Sequence, residues 1–313
     1  MPGIVKGVVN PNVLNAFTAL HWEYAQFLEE TPEPWSDLIL EEVPASPMLS
    51  DQFFIDLTTG GFRPWNGDRQ MRDTMQDSFT VNKRAFEDSM KIPKLLAMNG
   101  VYQAMARSEA QRFASNLFTF RDDMANNMLR NGSSATLGKC WDGGAFFSAT
   151  HPIDTRGDLT KVFSNKIALS GFTAPNWATV KAQLESVPAP NGKPYRAMVT
   201  GIIYPPAREP NIKAVFGKEH LTGGESNEYF NDIDTASRRK AIELADLPNV
   251  VYIVLSVAGR AKPLPYVQTP MNTMTLGEES EECGKTGYVS ELADFYASCG
   301  YANPRLIAAW DIT

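Results

Sequence analysis

The sequence predicts an α+β subunit, and three observations along its 313 residues carry that prediction. A helix-periodic stretch of unusual length runs from Pro93 to Arg130. A polar, Gly-interrupted stretch with short runs of strand character precedes it. After it, continuous apolar strands alternate with short helices, the pattern of a sheet covered on both faces. The chain displays this order of parts where an enzyme of its size usually displays a nucleophile, a metal cluster or a phosphate loop.

Composition bounds the reading. A hydrophobic content of 43% with 21% charged residues is that of a folded protein and excludes wholesale disorder. A formal net charge of -7 argues against a high-affinity phosphate-binding surface. Cys140, Cys283 and Cys299 are an odd number with no CxxC pair, so they read as reduced thiols. The opening Met-Pro-Gly-Ile-Val-Lys lacks the features of a secretory signal, and the longest apolar run, Val250 to Leu255, falls far short of the ~20 residues that span a bilayer. The expectation is a soluble protein made in the cytoplasm, with no membrane partner.

The elements follow in order. Asn12 or Asn15 caps a helix whose stripe holds Val13, Phe17, Leu20, Tyr24, Phe27 and Leu28 at spacings of three and four. The prolines at 32, 34, 44 and 47 then favour an extended arm that docks on a neighbour, with Phe17, Tyr24 and Phe27 as contact residues; the alternative is a helix folded back on its own domain. Phe53 to Thr58 and Ser78 to Val81 read as two strands of a protruding hairpin around Pro64-Trp-Asn-Gly67. An isolated hairpin is only marginally stable in water and needs a partner surface. Trp65 beside Arg63 and Arg69, with Arg72 nearby, fits an interface anchor, while an ordinary surface loop with its Trp tucked inward remains the alternative.

Pro93 opens the long helix. Met98, Val101, Tyr102, Met105, Phe113, Leu117, Met124 and Met128 recur at helical spacing, and Asn131-Gly132 closes it. Continuous from Pro93 to Arg130, it would be a rod of about 55 Å at ~1.5 Å per residue; Gly100 is a weak point at which the first turn splits off. Its methionine stripe is core packing, not a metal box. Beyond residue 160 the expectation is a helix over Trp177 to Leu184, a buried strand over Ala197 to Tyr204, helices over Asn211 to Gly217 and Ala236 to Leu244, a strand over Val250 to Val257, a solvated acidic loop over Glu278 to Glu282, and a terminal strand over Arg305 to Ile312.

The search for chemistry returns little. Cys140 with His151 and Asp142 or Asp154 is a possible nucleophile arrangement, but no family signature surrounds it, and His151-Pro152 reads better as a structural turn bonded to backbone. His21, His151 and His220 are scattered without metal-ligand spacing. Gly143-Gly144 and Gly223-Gly224 match no phosphate loop, and Asp122-Asp123, adjacent on a helix, diverge. The expectation is no catalytic, cofactor-binding or metal residue, hence no enzyme.

Four stretches resemble the major head subunit of Mu-like phages, which has the HK-97 type capsid fold. They are Pro64-Trp-Asn-Gly-Asp-Arg69 with Phe79 to Asp88, the turn Asp142-Gly-Gly-Ala-Phe-Phe-Ser-Ala-Thr-His-Pro152, Tyr204-Pro-Pro-Ala-Arg208 with Gly224 to Asn227 and Val250 to Val257, and Lys262-Pro-Leu-Pro-Tyr-Val-Gln268. The likeness covers roughly residues 50 to 312, and the segment from 227 to 248 and the arm before residue 45 are less characteristic of the family. It implies an N-terminal arm (1–48), an extended β-hairpin loop (49–90), a peripheral domain built on a long spine helix (91–165 and 275–313) and an α/β axial domain (166–274).

The resemblance further implies a major capsid protein of a tailed bacteriophage, assembling into the pentamers and hexamers of an icosahedral head in the host bacterial cytoplasm and enclosing double-stranded DNA by weak, non-specific contact. Its partners would be copies of itself, with scaffold, portal and decoration proteins. Lys83 and Asn82 lie in the region where some relatives of the fold crosslink, but the required trio is missing and no crosslink is expected. The competing readings are an encapsulin-like cellular compartment and a cytosolic cysteine hydrolase using Cys140.

Overall fold

The structure is a computed structural model, which describes residues 4–6, 34–56, 76–95, 102–154, 159–190, 192–220, 224–257, 262–276 and 280–313. In chain order the strands are β1 (Ile4–Lys6), β2 (Leu40–Pro44), β3 (Ser50–Asp56), β4 (Gln76–Asn82), β5 (Arg84–Pro93), β6 (His151–Pro152), β7 (Val162–Phe163), β8 (Lys166–Leu169), β9 (Met198–Tyr204), β10 (Arg238–Lys240), β11 (Val250–Ser256), β12 (Leu264–Gln268), β13 (Asn272–Leu276), β14 (Tyr288–Cys299) and β15 (Ile307–Ile312). Among the described residues the helices are α1 (Tyr102–Asn131), α2 (Ala174–Glu185), α3 (Glu209–Phe216) and α4 (Glu281–Thr286).

A five-stranded sheet in the order β10-β9-β11-β15-β8 forms the centre. Its inner strands β11 and β15 are almost wholly apolar because both faces are covered. Val251, Ile253 and Leu255 share one face with Ala308, Trp310 and Ile312, against Trp177, Val180 and Leu184 of α2 and Ile212, Val215 and Phe216 of α3. Tyr252 and Val254 share the other face with Ile203, Ile307 and Ala309, against the end of α1 through Ala125 and Leu129. The period of two in a strand sends successive residues to opposite cores, so a continuous apolar run is what this position demands.

The second sheet runs β1-β13-β14-β12-β2, with β5 on the free edge of β14. The β5–β14 ladder is antiparallel and pairs Arg84 with Ala297 through Pro93 with Tyr288. β3 and β4 pair separately as an antiparallel hairpin, from Ser50 opposite Asn82 to Asp56 opposite Gln76.

Several expectations hold. The hairpin strands form, and α2 starts where Thr173 accepts a hydrogen bond from the Asn176 amide, with proline in the first turn. The buried strands β9, β11 and β15 and the helix α3 form where the sequence places them.

Others are corrected. Pro93 is the last residue of β5, opposite Tyr288, and the two residues after it, Lys94 and Leu95, are helical; residues 96–101 lie outside the described residues, and α1 covers Tyr102–Asn131, 30 residues or about 45 Å. Ala236 to Leu244 is not a helix but two short 3-10 turns around β10, because Arg238–Lys240 satisfy their backbone on the edge of β9. The acidic stretch is not all loop. Glu281 and Glu282 open α4, where Ser280 accepts from the Cys283 amide, both carboxylates face the positive helix end, and Gly287 closes the helix at φ 72°. Of the 1–48 region, Trp35–Pro44 is built into the body: Trp35, Ile39 and Leu40 are buried and β2 lies parallel to β12.

Candidate assembly surface

The sequence-derived contact residues Phe17, Tyr24, Phe27, Arg63, Trp65, Arg69 and Arg72 lie outside the described residues. What the structure gives is the ground around them: the hairpin that carries 57–75, the ribbon it leads into, and the turn and junction that brace both.

The hairpin base is held by a buried lysine. Lys83 Nζ donates to the Ser46 carbonyl at 2.6 Å and the Met48 carbonyl at 2.8 Å, and lies 2.9 Å from Asp51 Oδ2. The ammonium thus donates to two backbone carbonyls while the Asp51 carboxylate balances its charge. Burial alone raises the Asp51 carboxyl, but the Ser46 and Lys83 contacts prevail and hold it below its ordinary range. Phe53 stacks on Phe79 at 5.4 Å across the pair. Gly300 is pressed against β4, where a Cβ would come within 2.4 Å of Val81 Cγ2. Gly300 lies against Val81 just beyond the end of the β5–β14 ladder, where Ala297 faces Arg84.

Beside this base, α1 crosses the β5–β14 ribbon and leaves a groove of about 280 Å³. Its wall is aromatic: Phe86 and Phe120 meet edge to face at 4.7 Å, Phe120 and Phe295 at 5.1 Å, and Met271 completes it. Glu87 and Asp88 line the mouth. Among the described residues their side chains are hydrogen-bonded by the neutral Ser89 and Asn116. The sequence reading missed this groove. Its trace in the sequence is the alternation Phe86, Asp88, Met90.

The turn at 138–152 is structural. His151 Nδ1 lies 2.6 Å from Asp142 Oδ2 and Nε2 lies 3.0 Å from the Phe146 carbonyl. Carboxylate and carbonyl are both acceptors, so making both bonds requires a proton on each ring nitrogen. Burial raises the Asp142 carboxyl, yet the His151 hydrogen bond and charge bring it below its ordinary range. Asn165, also missed in the sequence, donates to the carbonyls of Phe146 at 2.7 Å, Pro304 at 3.0 Å and Ile307 at 3.3 Å, and accepts from the Ser148 amide. It ties the turn to β15. Cys140 is buried and its thiol is pushed well above the ordinary range by desolvation and then by Asp142. With both imidazole nitrogens engaged elsewhere, no thiolate–imidazole pair is assembled.

The 34–44 segment enters the body against α1. The Ser36 amide donates to Asp122 Oδ1 at 3.0 Å, and the Trp35 indole donates to Glu243 Oε2 at 2.9 Å. Arg121 pairs with Asp37 at 3.0 Å. Burial, reinforced by Glu243 and Asp37 against the opposing Ser36 bond, pushes the Asp122 carboxyl up to about 6. Asp123 points to solvent, so the two aspartates diverge as expected. Among the described residues no cluster of three His, Cys, Asp or Glu side chains is arranged to hold a metal, and no helix is long and apolar enough to cross a membrane.

This mixed helix-and-sheet body is similar to capsid proteins of known structure. The capsid structure of the cyanophage P-SCSP1u superposes with a TM-score of 0.55 at 12% identity, covering 90% of this chain and 88% of that one. The virus-like particle from Pyrococcus furiosus gives 0.52 at 12%, covering 94% and 99%. The procapsid of bacteriophage JBD30 gives 0.51 at 14%, covering 97% and 77%. At such identities the likeness speaks for the fold: this is a capsid-protein fold. No curated protein matches the chain. Residues 13–172, just over half of the sequence, match the Mu-like prophage major head subunit gpT family, and the chain belongs to that family. It is a major capsid protein, a structural component of the virion whose work is self-association, and the cellular-compartment alternative is not favoured.

Proposed function

We propose that the chain builds an icosahedral phage head from pentamers and hexamers by the HK-97 type division of labour. In that division 1–48 is an arm anchored through Trp35–Pro44, 49–90 an extended loop, 91–165 with 275–313 a peripheral domain whose spine is α1, and 166–274 an axial domain around the central sheet. Phe17, Tyr24 and Phe27 on the arm, and Arg63, Trp65, Arg69 and Arg72 on the loop, contact neighbouring subunits. Each contact is modest, and closure of a symmetric shell sums many of them. Scaffold, portal and decoration proteins join the head during assembly in the host cytoplasm, and the enclosed double-stranded DNA meets an acidic subunit only weakly.

The observation that carries this reading is the family match over 13–172, which spans arm, loop, spine helix and the 138–152 turn together. Negative-stain electron microscopy with light scattering on the purified protein tests it. Closed shells, pentamers or hexamers are the expected result, and Trp65→Ala lowers their yield while leaving the circular dichroism and melting of the subunit nearly unchanged. A species that stays monomeric or dimeric across salt and pH, with scaffold co-expressed, overturns it.

A further inference from the structure

We infer that residues 35–37, where the chain enters the body, form a proton-operated clasp, closed while Asp122 is neutral and loosened once it ionises. Three consecutive residues are each held by a different side chain. The Trp35 indole donates to Glu243 Oε2, the Ser36 amide donates to Asp122 Oδ1, and the Asp37 carboxylate takes Arg121. Trp35, Ser36 and Asp122 are all buried. Two of the three attachments therefore end on carboxylates, and the third residue brings a carboxylate of its own.

Charge at this junction is unbalanced. The entering strand contributes Asp37, Glu41 and Glu42, and α1 contributes Asp122 and Asp123. The turn at 242–244 adds Glu243, with Asp246 just beyond it. Against them stand three cations, each engaged elsewhere. Arg121 is shared between Asp37 and Glu42. Arg130 holds Asp246 and the Glu243 carbonyl, and Lys262 holds the Asp37 carbonyl. Among the described residues no cation pairs with the carboxylates of Asp122, Asp123 or Glu243.

Once ionised, Asp122 is a buried charge facing Glu243 and Asp37. The Ser36 bond favours that form but does not prevail, and burial with the two neighbouring charges keeps the proton on up to about pH 6. Opening the clasp wets Asp122 and lets the proton go, so a rise in pH through 6 favours the open form. The segment before residue 34 is thereby tethered more firmly in acid. That it is an arm rests on the shell reading above; the clasp itself does not.

Amide exchange on the purified full-length protein at pH 5 and pH 7.5 tests this, with labelling times scaled to the intrinsic rate at each pH. Peptides covering 35–40 should lose about tenfold in protection at the higher pH, as a folded value near 6 and an ordinary one of 3.8 require, while β11 exchanges far more slowly at both. Asp122→Asn should abolish the difference. Glu243→Gln removes a neighbouring charge, leaves an acceptor for the Trp35 indole, and should move the midpoint to lower pH. Equal protection of 35–40 at both pH values overturns the clasp, and so does exchange of 35–40 only in step with β11. A response unaltered by Asp122→Asn, or by Glu243→Gln should Asp122→Asn not fold, overturns it as well. None of these outcomes touches the shell reading, which stands or falls on the particles formed.

Discussion

Lys83 Nζ lies 2.9 Å from Asp51 Oδ2, with the lysine side chain 1% exposed, so the cation that closes the hairpin base is sealed inside it. The ammonium donates to the carbonyls of Ser46 and Met48 and pairs by charge with Asp51. Lys83→Met leaves those acceptors without their cation and is expected to cost about 2–4 kcal/mol in urea unfolding, with Lys83→Arg losing less. The Asp51 carboxyl sits lower in the folded chain than in the unfolded one, so its contribution is present at neutral pH and is lost as pH falls through its depressed folded value. Acylation by an amine-reactive ester, followed by peptide mass spectrometry, should modify the exposed Lys91 well before Lys83.

Asp122 runs the other way. Its folded value of about 6 lies above the ordinary 3.8, so the folded state holds the proton more tightly. Its contribution is fully present below about pH 4 and is lost as pH rises through 6. Asp122→Asn keeps an acceptor for the Ser36 amide and removes the buried charge beside Glu243. It should raise stability at pH 7 by roughly 1–3 kcal/mol and leave stability at pH 4 unchanged. Melting temperatures of both proteins at the two pH values check this.

Asn165→Ala strips a single side chain that donates to three carbonyls and accepts from the Ser148 amide. Buried backbone groups without partners make this an expensive change, about 2–4 kcal/mol in denaturant. Amide exchange should accelerate over 146–152 and over β15 together, because this residue is what couples them.

Gly300→Ala tests the contact of the ribbon's end with the hairpin. The added methyl meets Val81 Cγ2 at 2.4 Å and Phe79 Cε2 at 2.8 Å, so β4 must shift. A loss of about 1–3 kcal/mol is expected, and the pairing Val81→Ala should recover part of it.

The parts legible in the sequence were those whose signal is local. α2 announces itself through Thr173 and Pro175, and β9, β11 and β15 through apolar runs that only a doubly covered sheet explains. β5 was not legible as a strand, because it earns its structure from a partner some 200 residues away and its charged outer positions blur the alternation. Pro93 serves both as the end of β5, opposite Tyr288, and as the residue before helical Lys94 and Leu95, and only the second of these roles has a local signal. The helix expected over Ala236 to Leu244 does not form, because the edge of β9 captures Arg238–Lys240. Lys83 and Asn165 carried no motif at all. Their importance comes from carbonyls supplied by distant turns, which no linear pattern displays. The same holds for the groove, whose three phenylalanines come from β5, α1 and β14.

The pairing of Arg84–Pro93 with Tyr288–Ala297 also sets a schedule for biosynthesis. While the ribosome is still making the middle of the chain, β5 has no strand to join. The ladder closes only after residue 297 has left the exit tunnel. β5 therefore gains its partner strand only some 200 residues after its own synthesis.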